Sequence, residues 1–526
     1  MPRFSKQLFV AAFLAAATGV TGSVRADEPQ QTPQSDAAVQ ATVETVNNVF
    51  AQPASFTSRM AESGACGAGA CGAAGCQGDT GASWLQGALD KPLLSDFRDM
   101  QIGDCLTASV GGELRHRYMD ESNRLRPGGP GDSTYDLWRI TPFMELKYGD
   151  AITGYVQAID ASIFDEDLPV TGIDENRSDL LQYYLDAQLA EVGEGKLRGR
   201  IGRQFLKYGS QHLVSPLGWS NTFRNFEGVK LYYSSENWDI DGFWTRPVNA
   251  AAGNIFRPTS SDSPDASRTF SGVYSTYKGL QNATLDLYWL YLDENEDKGN
   301  RIDGQRHTFG GRYNRTDVMK DACGNVVGTL ALEVEGAFQV GDSETFLGAG
   351  DEDIEAGMFH TALGYTFNQA PWTPTVKGVF YWASGDDNPG DGENNNFNTL
   401  FPLGHAYWGI IDNLNGSNLL DYSLQASVKP MDKLTVLAAL HWFEKDESAT
   451  PIFNVAGAPF PGGATSTSSN DIGTELDLIA TYAVSKQLTV QAGYSWFWYG
   501  DAVSTAAAPL PRDDAEQFYI MTTLGF

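Results

Sequence analysis

The sequence predicts an all-β fold, a transmembrane antiparallel β-barrel of about eighteen strands, behind a mostly disordered N-terminal segment. Three observations lead there. The first residues have the anatomy of an export leader. The body consists of segments of roughly ten residues that alternate apolar with polar or small side chains, separated by Gly, Asp, Asn and Pro. The chain then ends on Phe526, the last residue of one such alternating segment.

The leader comes first in the chain. Arg3 and Lys6 form a short basic stretch, Leu8 to Val20 is apolar and small, and Val24-Arg25-Ala26 offers a small-residue cleavage site. Residues 1–26 are therefore expected to be a cleaved signal peptide. Residues 27–91 are poor in large apolar side chains and rich in Ala, Gly, Ser, Gln and Thr, the composition of a periplasmic linker that buries no core. A short helix around Ala38 to Phe50 and a contact with a periplasmic partner are compatible with it. Cys66, Cys71 and Cys76 sit in this linker at a spacing that matches no common zinc pattern. With Cys105 and Cys323 the count is five, so at least one thiol is unpaired or bridged to another chain. The barrel domain is placed at 92–526, with Leu93, Leu94, Phe97 and Met100 as docking residues at its entry.

From Cys105 on, eighteen segments alternate: 106–118, 134–149, 151–164, 179–192, 196–205, 225–234, 237–248, 267–278, 281–293, 304–315, 329–340, 355–367, 373–384, 419–429, 434–445, 471–483, 487–499 and 515–526. The even number suits a single-chain barrel. In one segment Leu332, Val334, Phe338 and Val340 alternate with Glu333, Glu335 and Gln339; in another Ile472, Leu476, Leu478 and Tyr482 oppose Glu475 and Asp477. Carboxylates inside a strand suit a wet face better than a sandwich core, where each would need a partner. Short turns such as Tyr148 to Ala151 and Val484 to Gln487 alternate with long polar loops such as Ala383 to Leu400, which is the outer-membrane pattern. A barrel of this size leaves an aqueous channel.

Composition narrows the function. The 526 residues carry a net charge of −30, and loss of Arg3, Lys6 and Arg25 with the leader lowers it by three, to −33. Nucleic-acid binding is disfavoured, because no basic excess exists to displace counterions. Beyond the N-terminus no run of about 18 apolar residues occurs, which disfavours a helical membrane protein. Tyr288, Trp289, Tyr291, Tyr381, Trp382, Trp442, Trp496, Trp498 and Tyr499 fall near strand ends and are expected to form interfacial girdles against outer-membrane lipid. Following the alternation, Arg115, Arg117, Arg139, Arg198, Arg200, Lys230, Arg306, Arg312 and Lys377 point into the lumen, since each would cost about 2–4 kcal/mol at mid-membrane on the lipid face. They either form a basic belt that filters anions or pair with lumen carboxylates such as Glu113, Glu145, Glu333, Glu335, Glu475 and Asp477.

Two stretches carry a family resemblance. Gly202-Arg203-Gln204-Phe205-Leu206-Lys207-Tyr208-Gly209, then Leu213 to Thr222 and Phe226 to Leu231, resemble the alginate-export family of outer-membrane barrels; so do Tyr381 to Pro389 and Phe401 to His405. The resemblance implies an eighteen-stranded barrel with an electropositive constriction that passes a uronic-acid polymer. It also adds Arg203 to the lumen set, although simple alternation from Leu197 turns that residue outward. The acidic net charge departs from what a polyanion channel suggests, though local fields in a pore can override it.

Asp386, Asp387, Asp391 and Glu393 supply hard oxygen ligands of the kind calcium takes, without EF-hand spacing; no other cofactor is implied. No H-E-x-x-H, G-x-S-x-G or P-loop occurs, so the chain is not expected to be an enzyme. The expectation is thus an outer-membrane channel that passively conducts an anionic polysaccharide or oligosaccharide. The alternatives are a general or cation-preferring porin for small solutes and, further off, a barrel-embedded enzyme.

Overall fold

The computed structural model describes residues 94, 97–126, 131–249, 262–295, 303–344, 350–460, 469–504 and 513–526. The leader (1–26), the linker (27–91), its short helix and Cys66, Cys71 and Cys76 lie outside the described residues.

Eighteen antiparallel strands close into a barrel. They are β1 (Leu106–Gly111, continued by Glu113–Ser122), β2 (Ser133–Ile140, continued by Phe143–Tyr148), β3 (Ile152–Phe164), β4 (Asn176–Val192), β5 (Gly195–Gln204) and β6 (Phe226–Ser234). There follow β7 (Trp238–Asn249), β8 (Arg268–Leu280), β9 (Ala283–Glu294), β10 (Gly304–Lys320), β11 (Val326–Glu344) and β12 (Asp351–Thr366). The last six are β13 (Thr375–Ala383), β14 (Leu419–Met431), β15 (Leu434–Glu444), β16 (Asp471–Ala483), β17 (Leu488–Tyr499) and β18 (Ala515–Gly525). Each strand pairs with its sequence neighbours, and β18 pairs back onto β1 from Gly525↔Glu113 to Glu516↔Ser122. Phe526 and Gly112 exchange both backbone hydrogen bonds at 2.9 Å, so the terminal residue itself completes the seam.

Closure leaves no lipid-facing strand edge, as a membrane barrel requires. The period of two then separates the faces. Leu185, Ile201, Val229, Leu231, Trp244, Leu363 and Leu424 stand exposed on the outside. The intervening residues turn inward. Bulges break the rule at several points. At one, β16 slips against β15 between Gly473↔Phe443 and Asp471↔Glu444, and Ile472 turns into the core instead of standing with Leu478 and Tyr482. Gly473 at the slip has φ +142°, a conformation other side chains avoid.

The girdle is smaller than expected. Trp289, Trp442 and Trp498 stand exposed on the outward face. Tyr288, Tyr381 and Tyr499 instead point inward, where Tyr381 donates to Gly416 O at 2.9 Å and Tyr499 to Asn123 O at 2.7 Å. The entry segment also differs. Leu94 and Phe97 are exposed rather than docked. Met100–Ile102 adds a short antiparallel piece to β1, and Arg98 donates to Phe526 O at 2.8 Å.

The lumen is not open water throughout. Two long connections fold inward, the first over residues 205–225 and the second over residues 384–418. They meet at a parallel bridge between Val214 and Phe401. Leu206, Leu213, Val214, Phe401, Trp408, Ile411 and Leu414 pack with inward-facing Phe226, Phe243, Phe270, Tyr288, Met358 and Phe497 in one apolar core inside the barrel. Burial of such side chains stabilises by about 1.5–3 kcal/mol each, so these loops are held as firmly as a soluble core.

Candidate functional site

The inner loops rest on charged walls of opposite sign. On β1 and β2, Arg115, Arg117 and Arg139 are buried side by side. Register explains the cluster: Arg115 lies directly across from Arg139, and Arg117 is one inward position further along. Their donors meet the first inner loop. Arg115 donates to Gly218 O at 3.0 Å, Ser220 O at 2.8 Å and Asn221 Oδ1 at 3.2 Å. Arg117 reaches Trp219 O at 3.0 Å with its guanidinium 4.0 Å over the Trp219 ring. Arg139 reaches Ser220 O at 2.8 Å, lies 4.0 Å over the Phe223 ring and pairs with Glu113 at 2.7 Å. Asn221 completes the seat by donating to the carbonyls of Trp138, Ser162 and Asp174.

A second wall is acidic. Asp421 on β14 and Glu475 and Asp477 on β16 are fully buried. Glu475 accepts Ile411 N–H of the second inner loop at 2.9 Å, and His441 bonds Asp421 at 2.9 Å. His405 of the same loop bonds Asp412 at 3.0 Å and stacks on Trp219 of the first loop with ring centroids 3.7 Å apart. The two loops therefore touch each other while each leans on its own wall.

The third group faces water. On β4 to β6, Arg198 and Arg200 share Asp186 at 2.7 and 2.8 Å; the guanidinium side chains are 18% and 22% exposed and the carboxylate 3%. Lys230 pairs with Asp241 at 3.0 Å. Arg200 lies 4.0 Å over the Tyr184 ring, and Tyr232 donates to Asp186 at 2.6 Å. The cations and rings thus present to solvent while the carboxylate sits behind them.

The remaining basic residues are cross-braced. Arg312 pairs with Asp286 and Glu333 at 2.9 Å, and Arg306 donates to Gln339 at 3.0 Å. Lys377 faces Glu333. Arg203 departs from its expected place. It pairs across with Tyr183 and Glu227, on the outward face that Ile201 and Val229 share. There, at the long-loop rim, it binds Glu227 at 3.2 Å and the carbonyls of Leu180 and Asp262 at 2.8 Å. Plain alternation was sufficient at this position.

The four carboxylates considered for calcium do not converge. Asp386 accepts Asn388 N–H, and Asp391 accepts both Asn388 Nδ2 and Glu393 N–H, so the loop's own amides occupy these two carboxylates. Asp387, Asp391 and Glu393 are exposed. Burial, with Glu352, Asp391 and Asp387 nearby, pushes the Asp386 carboxyl up to about 6. Among the described residues the grouping of side chains able to hold a metal is a different one, His212, Glu333 and His360. His212 and Tyr407 lie in the inner loops and were not singled out from sequence. The signal available for them was the apolar content of Leu213 to Trp219 and of Phe401 to Ile411, unusual for loops on a surface.

Comparison with known proteins agrees with this architecture. The sequence profile of the family described as Alginate export matches residues 106–510. No curated protein sequence matches the chain. Among solved structures, OccAB1 from Acinetobacter baumannii is similar at 12% identity, covering 80% of this chain and 96% of that one, with a TM-score of 0.52. OpdQ from Pseudomonas aeruginosa is similar at 12% identity, 80% and 97% coverage and a TM-score of 0.50. The outer membrane protein OprD from Pseudomonas aeruginosa matches at 14% identity, 79% and 93% coverage and a TM-score of 0.49. At such identities the first two likenesses speak for the fold alone.

Proposed function

The chain belongs to the alginate-export family, an outer-membrane β-barrel with the build of a passive channel rather than an enzyme, and from that premise we propose that it conducts an anionic polysaccharide or oligosaccharide. The supporting observation is the water-facing set of Arg198, Arg200 and Lys230 beside the Tyr184 and Tyr232 rings. Guanidinium forks match carboxylates, and aromatic faces accept the apolar face of a sugar ring. Shielding of Asp186 behind the two arginines leaves positive charge outermost, so a local field favours anions in a chain whose net charge is −30. Removal of the leader at Ala26 and a periplasmic contact through residues 27–91 belong to the same proposal.

Single-channel recording with added oligouronate tests it. Transient current block is expected, and Arg198→Ala/Arg200→Ala should weaken the blocking affinity roughly tenfold, the scale of one partly exposed charge-assisted pair. Block of equal strength in the variant would remove these arginines from the path. A second reading, a cation-preferring porin, is favoured by the acidic excess of the chain, a net charge of −30. It predicts no block by oligouronate at all.

A further inference from the structure

We propose that His212, Glu333 and His360 form a divalent transition-metal site inside the barrel, with Zn2+ as the best-suited ion, and that the metal staples the first inner loop to the wall. The three come from separate elements: His212 from the loop, Glu333 from β11 and His360 from β12. Register sets the wall pair, since Glu333 and Glu335 are successive inward positions on β11 and His360 lies across from Glu335. The ligand atoms all lie within 4.8 Å of one another. A tetrahedral zinc with bonds of about 2.0–2.1 Å needs them about 3.3 Å apart, a closure that small ring rotations supply.

The donor set is prepared for an ion. His212 is 1% exposed and His360 3%, so water does not easily satisfy either ring. His212 Nδ1 lies 2.7 Å from Glu335 Oε2. A neutral ring that donates there carries its lone pair on Nε2, and this nitrogen is buried with no hydrogen-bond partner. The carboxylate–histidine arrangement is the one that orients metal-bound imidazoles. His360 Nδ1 is likewise buried and unpartnered; the nearest carboxylate oxygen, Glu333 Oε1, is 3.6 Å away, too far for a hydrogen bond and close to the edge of a zinc tetrahedron. The other oxygen of Glu333 is fixed by Ser210 Oγ at 2.6 Å and Arg312 at 2.9 Å, which leaves Oε1 aimed at the histidines.

Charge permits the ion. Arg312 and Lys377 are the nearby cations, and Asp286, Glu333 and Glu335 the nearby carboxylates, a formal excess of one negative charge. Two imidazoles and one carboxylate select a borderline ion over calcium or magnesium. The Tyr407 ring, 3.9 Å from His212, closes the loop side, and its hydroxyl donates to Ser210 O. A bound ion would therefore cross-link the loop at its middle to two adjacent strands and fix the narrowed part of the lumen.

The test uses the full chain, purified folded in detergent, with its five cysteines replaced by serine so that thiols cannot contribute. After chelation and dialysis the protein is titrated with Zn2+ against a chromophoric chelator. One equivalent is expected to bind. His212→Asn and His360→Gln should each abolish that equivalent, His307→Gln on the outer face should keep it, and Glu335→Gln should weaken it 10–100-fold through the lost orienting bond. Heat-modifiable migration on gels verifies that each variant is a folded barrel. Failure of the parent barrel to bind an equivalent, or its retention by the folded His212→Asn and His360→Gln variants, would overturn the proposal.

Discussion

Replacing Arg115 with methionine should loosen the first inner loop without unfolding the barrel. Methionine keeps much of the volume and removes the charge, together with bonds to Gly218 O, Ser220 O and Asn221 Oδ1 at 3.0, 2.8 and 3.2 Å. Hydrogen bonds to charged groups contribute about 1.5–3 kcal/mol each. Two effects reduce the sum. Arg139 also donates to Gly218 O and Ser220 O, so neither carbonyl is stranded. Removal of a buried cation from between Arg117 and Arg139 also relieves like-charge repulsion. About 2 kcal/mol of loop docking remains at stake, roughly a 30-fold shift toward the undocked state. The ladder bonds of β1 to β2 and β18 are backbone bonds and survive. Single-channel recording should show longer-lived excursions to higher conductance and more open-channel noise, while heat-modifiable migration stays that of a folded barrel. Noise and conductance identical to the parent in a folded Arg115→Met barrel would refute the claim that these arginines hold the loop.

Other perturbations follow from the same geometry. Gly409 has φ +85° and an added Cβ would run into the Glu475 carboxylate, so Gly409→Ala should unseat the second inner loop and raise its protease sensitivity at least severalfold. Leu231→Arg on the lipid face should cost about 2–4 kcal/mol in denaturant-dependent folding into vesicles, whereas Lys230→Gln on the opposite face should change ion selectivity and leave the midpoint unchanged. The Asp386 carboxyl is raised to about 6, so the folded loop holds a proton that the unfolded chain releases near 3.9. Stability of that loop should fall as pH rises between these values and level off above 6; Asp386→Asn should flatten the profile, as read by hydrogen exchange of residues 386–396 corrected for intrinsic rates. Cys323 sits exposed in the turn that joins β10 to β11, at the same end as the termini of the barrel. In a background with no other cysteine, a membrane-impermeant maleimide should leave it unlabelled in intact cells and label it after permeabilisation.

The strands were legible because lipid on one side and polar surroundings on the other impose a period of two. Glu333 and Glu335, alternating with Leu332 and Val334, could face only inward, and the strand lies there, from Val326 to Glu344. Boundaries ran short at the long-loop end, where β1 continues to Ser122 beyond the expected 118, because polar side chains stay paired above the lipid. Alternation turns Arg203 outward, where the strand register has it, even though the motif suggests the lumen.

Long-range contacts were not legible. Alternation reports a side chain's face but not what later covers it. Arg115 meets Ser220 across 105 positions of sequence and His212 meets Glu335 across 123. No local period encodes either contact. For the same reason alternation leaves open whether the basic residues form a belt or pair with lumen carboxylates; three of them are buried under a loop, and Arg312 is braced by Asp286 and Glu333. Ile472 was misplaced for a smaller reason, a one-residue bulge at Gly473 that a strict period of two cannot anticipate.

The most direct test of the proposed channel is the reversal potential of the purified protein in a planar bilayer under a potassium chloride gradient, measured before and after adding oligouronate. Anion preference with current block on the addition is expected from the water-facing lumen residues Arg198, Arg200 and Lys230. Cation preference unaffected by the oligouronate would contradict an anionic-saccharide channel and leave the acidic excess of the chain in control of selectivity.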